Sequence, residues 1–89
     1  MTIVERERRK RIKASLAAYA YEFLDETIMT DGDFDELLKT IDINIKTGHN
    51  TLDEFFETVF SPHTGQWIHK HPELDGIRRV YERVWKKRK

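Results

Sequence analysis

The chain has 89 residues, no cysteine, and 16 basic against 16 acidic side chains. That length indicates one domain burying roughly 60% of the surface its unfolded chain would expose. The missing thiols exclude disulfide scaffolds, thiolate metal sites and cysteine nucleophiles. No apolar run approaches the roughly 20 residues that span a bilayer, so no membrane association is expected. The opening MTIVERERRKRIK carries no apolar core of a secretory signal, and a cytoplasmic location is the expectation.

Apolar residues recur at helical spacing in four places, and no strand pattern competes. The first stripe is Ile12, Leu16, Tyr19, Ala20, Phe23 and Leu24, with no proline to interrupt it. It predicts a long helix from about residue 3 to residue 25, supported by Glu5/Arg9 and Glu7/Arg11 in the favourable i,i+4 orientation. Thr30 followed by Asp33 reads as an N-cap with an acid at N3. The stripe Phe34, Leu37, Leu38, Ile41 and Ile45 then predicts a second helix from residue 31 to about 46, stopped at Gly48. Thr51 with Glu54 reads as a capping box opening a third helix to about residue 60, with Leu52, Phe55, Phe56 and Val59 on its inner face. Ser61-Pro62 ends it or starts one more turn holding Trp67 and Ile68. Pro72 suits the first position of a last helix whose inner face is Ile77, Val80, Tyr81, Val84 and Trp85. The fold class expected is all-α: an antiparallel helical hairpin over residues 1–46, extended by residues 47–89 into a single small bundle of about four helices. Trp67 and Trp85 should be at least partly buried, with Phe55 and Phe56 in the core.

Charge is unevenly spread. Residues 1–13 carry a net +4, residues 14–60 a net −9 and residues 61–89 a net +5. The basic ends offer contacts to phosphate from Arg8, Arg9, Arg11 and Lys13 at one end and Arg78, Arg79, Arg83, Lys86, Lys87 and Arg88 at the other. The same ends can equally fold onto the acidic middle, or be solvated faces. No nucleic-acid-binding signature accompanies the charge.

Few local patterns carry chemistry. His63, His69 and His71 lack a fourth ligand, and Lys70 between the last two repels a cation, so they read as loop residues around Trp67 with no metal. Asp31, Asp33 and Asp35 open like a calcium loop, but its glycine and final glutamate positions hold Glu36 and Asp42. No phosphate-binding glycine loop is present, and neither Ser15 nor Ser61 has a triad context. The informative segment is residues 19–37, YAYEFLDETIMTDGDFDEL, which joins the first two helices. Tyr21, Asp31, Phe34 and Asp35 can converge there, and aromatic rings beside carboxylates suit a flat, cationic or amide-bearing ring. By residue type alone, Asp31 and Asp33 are also what any helix N-terminus prefers, and Phe34 already belongs to the core stripe.

This segment resembles the N-terminal Ia subdomain of bacterial NAD-dependent DNA ligases, where a helix ending in Tyr-His is followed by a loop and a helix opening with D-x-x-Y-D. Here Tyr21-Glu22 stands at the first place and Asp31-Gly32-Asp33-Phe34-Asp35 at the second, without gaps. The likeness extends over about the first 46 residues. In the ligases this subdomain grips the nicotinamide mononucleotide (NMN) half of NAD. The resemblance therefore implies a candidate NMN site at Tyr21, Glu22, Asp31, Phe34 and Asp35. Glu22 replaces the family's histidine and brings a like charge toward a phosphate. Phe34 replaces its tyrosine, keeping the ring and losing the hydroxyl. The K-x-D-G lysine that attacks NAD in ligases has no counterpart in the chain. No activity is therefore expected, and no cofactor is required, although weak NMN or NAD binding is. Short relatives of this kind occur among phage and prophage genes, so the resemblance implies a non-catalytic module in phage DNA metabolism. It would act through a protein partner or by binding a nicotinamide nucleotide, with a monomer favoured. The alternatives are a small nucleic-acid-binding protein using its basic ends, and a ligase component acting in trans.

Overall fold

The computed structural model describes residues 2–84. It is all-helical, with no strand among those residues: α1 (Ile3–Leu24), α2 (Asp31–Thr40), α3 (Asn50–Thr58), a 3₁₀ helix (Gln66–Lys70) and α4 (Leu74–Val84). Trp85, Lys86, Lys87 and Arg88 lie outside the described residues. None of the described helices is long and apolar enough to cross a membrane.

α1 is the element against which α2, the 3₁₀ helix and α4 all pack. Thr2 caps it, its side chain accepting from the Glu5 amide at 3.1 Å. Asp25 closes it in a left-handed conformation (φ 52°) with its N–H donating to Ala20 O. α2 runs back antiparallel, because its N-cap Thr30 follows a short loop while Thr40 O at its far end accepts from Lys10 Nζ at 2.7 Å. The expected hairpin is therefore present. The buried side of α1 differs from the expected stripe. Leu16, Tyr19 and Ala20 are buried, but Ile12, Phe23 and Leu24 are exposed. Ala14, Ser15, Ala17 and Ala18 take their place, since residues this small let neighbouring elements approach the helix backbone closely.

α1 also buries charge. Glu7 and Arg11, expected as a surface pair, are 0% and 5% exposed. Arg11 Nε donates to Glu7 Oε2 (2.8 Å) and Nη1 to Asp53 Oδ1 (2.9 Å), while Nη2 donates to the carbonyls of Asp42 (2.9 Å) and Ile45 (3.0 Å). This cluster explains why α2 stops at Thr40 instead of residue 46. The Asp42 amide donates to the Glu7 carboxylate, and the Asp42 and Ile45 carbonyls are held by Arg11, so groups that would continue a helix are satisfied elsewhere. Ile41 is already extended (ψ 124°). Gly48, at φ +90°, serves the loop before α3 and not the end of α2.

Two other helix starts shift. His49 caps α3, its Nδ1 accepting from the Leu52 amide at 3.3 Å, so the Thr51/Glu54 box does not form. α4 begins at Leu74, after Pro72, where His71 Nδ1 accepts from the Glu73 amide (3.0 Å) and the Ile77 amide donates to Glu73 O. The core is aromatic: Phe55, Phe56 and Phe60 surround Trp67 at centroid distances of 6.1, 5.7 and 5.1 Å. Tyr81 on α4 packs on Tyr19 and donates to Glu26; that hydrogen bond, with burial, pushes its hydroxyl up to about 12.

His71 gives the fold a pH dependence. Burial beneath Phe55 and Phe56 pushes its imidazole down to about 4, against an upward pull from Glu73. Below the ordinary histidine value of about 6.5 the unfolded chain takes up a proton that the folded chain refuses. Stability is thus full above about pH 6.5 and falls toward pH 4, by up to roughly 3 kcal/mol. Urea midpoints across that window should decline for the wild type and lie flatter for His71→Asn; parallel profiles would show that another group is responsible. At lower pH Asp53 adds to the loss. Burial alone would raise its carboxyl, but hydrogen bonds from the Thr47 side chain and amide, and then Arg11, hold it below the usual range. Its contribution is present above the unfolded carboxylate value and lost as pH falls through the lowered one.

Candidate functional site

The end of α1, the loop after it, the start of α2 and the turn before the 3₁₀ helix border a cavity of about 440 Å³. Tyr21, Glu22, Asp31, Phe34 and Asp35 all line it. Helix geometry places them: Tyr21 and Glu22 sit in the last turn of α1, and Asp31 and Asp35 share one face of α2 at i,i+4. Ala17 and Ala18 form part of the lining, Thr27, Ile28 and Met29 the loop side, and His63, Thr64, Gly65 and Gln66 the opposite wall.

That opposite wall carried no sequence signal that pointed to the site. It is positioned by Trp67 and Ile68, which are buried immediately after it. Gly65 is what lets it approach. A Cβ there would lie 3.3 Å from Phe34 Cζ and 3.4 Å from Ala18 Cβ, closer than side chains ordinarily pack. Phe34 is half-buried, serving the core and the cavity wall together. Tyr21 is 58% exposed, so its ring is available to a ligand without being needed for packing.

The electrostatics are acidic. Glu22, Asp31 and Asp35 contribute carboxylates, and no lysine or arginine among the described residues lines the cavity. Glu22 is engaged: its Oε1 lies 2.8 Å from His69 Nε2, and the His69 ring packs against Phe23 at 4.7 Å. This partner was not foreseen from the sequence, which placed His69 in a loop around Trp67. His63 reaches the cavity wall, whereas His71 lies in the core. Two aromatic side chains and three carboxylates thus border one cavity, and a cation over an aromatic ring gains about 0.5–2 kcal/mol.

The described basic residues differ in what already holds them. Arg11 is buried and committed to Glu7, Asp53 and two carbonyls, so the expected phosphate contact from Arg11 is corrected: its guanidinium has no donor face toward solvent. Arg8 donates through Nε and Nη2 to the Thr47 carbonyl. Arg78 lies 3.7 Å from Asp75. Arg9, Lys13, Arg79 and Arg83 are exposed. A second cavity of about 410 Å³ lies between α1, α3 and α4, lined by Ile12, Leu52, Phe56, Ile77 and Val80 together with Arg8, Arg11 and the His49–Glu73 pair (2.9 Å). Its arginines are already hydrogen-bonded to the protein, so it offers an apolar surface without a charged anchor. No family model matches the sequence, and neither a curated protein nor a solved structure matches it.

Proposed function

We propose that this chain is a non-catalytic helical binding module whose site is the cavity between α1 and α2, and that it weakly binds a nicotinamide nucleotide through its ring. The observation that carries the reading is the convergence of Tyr21, Glu22, Asp31, Phe34 and Asp35 on one cavity of about 440 Å³, a size within the range of small-molecule sites. These are the positions that correspond to the NMN-gripping motif of the ligase Ia subdomain. The absence of a K-x-D-G lysine supports a role without nucleotidyl transfer, and a DNA-metabolism setting with a protein partner follows from the resemblance alone. An amide-shift titration with NMN and NAD tests the reading. Shifts should centre on residues 21–35 and 63–66, and Tyr21→Ala should abolish them while changing stability by only about 0.5 kcal/mol, as expected of an exposed side chain. Shifts scattered over the surface, or none, would defeat it.

A second reading has one observation in its favour. Arg6, Arg9 and Lys13 are exposed at helical spacing along one side of α1, with no ion pair among the described residues. Three cations there would support sequence-independent DNA binding whose log–log salt slope is about −3. Binding that persists unchanged at high salt would exclude that explanation.

A further inference from the structure

The same cavity has an electrostatic preference that goes beyond a nicotinamide ring as such. We propose that it selects a phosphate-free cationic heteroaromatic, an N-ribosylated pyridinium, over the corresponding nucleotide. The inference rests on the cavity being the nicotinamide site.

Three features of the lining point the same way. First, two of its carboxylates have no matching cation: Glu22 is paired with His69, but among the described residues neither Asp31 nor Asp35 is ion-paired and no lysine or arginine borders the cavity. Asp31 and Asp35 sit at i,i+4 on α2, where like charges repel, so a cation lying between them relieves a repulsion already present in the empty protein. Second, the N-terminus of α2 is not open to an anion. Thr30 Oγ1 accepts from the Asp33 amide, and Asp31 and Asp33 stand in the first turn, so the positive end of the helix is already met by negative charge. Third, the aromatic side chains Tyr21 and Phe34 line the cavity, and an aromatic ring attracts a cation and does nothing for a phosphate. A pyridinium spreads its positive charge over the whole flat ring, so the carboxylates and aromatic side chains that line the cavity both favour it. A phosphate on the ribose brings two negative charges toward Asp31 and Asp35, with no lysine or arginine among the described lining residues to meet it. On this account the phosphate is what makes nucleotide binding weak.

Calorimetry of the full chain at low ionic strength with four probes tests this: nicotinamide riboside, its neutral reduced form, NMN and nicotinamide. The riboside should bind at least about tenfold more tightly than either NMN or the reduced riboside, the scale of one close charge–charge interaction near a surface. The double variant Asp31→Asn/Asp35→Asn should remain folded, since both side chains are exposed. It should lose about tenfold for the riboside while gaining affinity for NMN, a reversal that a merely damaged cavity would not produce. If NMN binds as tightly as the riboside, or the reduced form does, selection by charge is overturned while the nicotinamide site stands. If no probe binds the folded protein, the site itself fails and the inference falls with it.

Discussion

Arg11→Met should cost about 3–5 kcal/mol, the usual penalty for removing one partner of a buried ionic cluster. The substitution keeps much of the side-chain volume, so the loss is electrostatic. Glu7 is fully buried and would face apolar surroundings with only Lys10 (3.2 Å) and the Asp42 amide left to it. Asp53 would keep Thr47 but lose its cation. The carbonyls of Asp42 and Ile45 would lose their donor as well. In a domain whose total stability is about 5–15 kcal/mol, that loss lowers the melting temperature by more than about 10 °C. Arg11→Lys should recover only part of it, because a single ammonium cannot reproduce a planar fork reaching four acceptors. Thermal unfolding followed by circular dichroism measures both. A loss under about 1 kcal/mol for Arg11→Met would mean that the cluster is not what fastens the segment after α2 to α1.

Phe56→Ala should cost a comparable 3–5 kcal/mol, for a different reason. Phe56 is 2% exposed and meets Phe55 edge-on at 5.3 Å, Phe60 at 5.3 Å and Trp67 at 5.7 Å. The Arg11 guanidinium lies 5.0 Å from its ring centre, so the same residue joins the aromatic core to the ionic cluster. Truncation leaves a void that these rings cannot refill without leaving their packing positions. In a Trp85→Phe background the emission reports Trp67, and it should shift to the red as water gains access. An unshifted emission with unchanged stability would place the centre of the core elsewhere. Because Trp67 and Ile68 anchor the wall that carries Gly65, this variant should also weaken any ligand in the cavity, whereas Tyr21→Ala should weaken it without destabilising the fold.

The contrast between these residues shows what could be read without a structure. The helical period of Phe55, Phe56, Ile77 and Tyr81 announces their burial directly, because an apolar side chain at regular spacing has one favourable destination. Thr30 ahead of Asp33 likewise sets the start of α2, since a cap is a local hydrogen bond and requires nothing distant. The spacing from Tyr21 to Asp35 lets Tyr21, Asp31, Phe34 and Asp35 converge, because two helix ends joined by a short loop must lie together, whereas Glu22 joins them only through the ligase resemblance.

Tertiary structure decided the rest. Ile12 and Leu24 fit the expected stripe and yet stay exposed, while Ala14 and Ala18 are buried, because close approach rewards small residues that a count of large apolar ones overlooks. Glu7 and Arg11 look like an ordinary surface pair at i,i+4; only the arrival of Asp53, 42 residues away, makes them interior. The end of α2 depends on that same arrival, since the carbonyls that would have continued the helix accept from Arg11 instead. Glu22 meets His69 across 47 residues, and Gly65 meets Phe34 across the cavity. Local hydrogen bonding and apolar period are properties of neighbouring residues, so the sequence by itself determined that this chain is helical and where α1 and α2 begin. Which polar groups are buried, where α2 ends and what closes the cavity depend on partners brought together only when the chain folds, and those the tertiary structure alone decided.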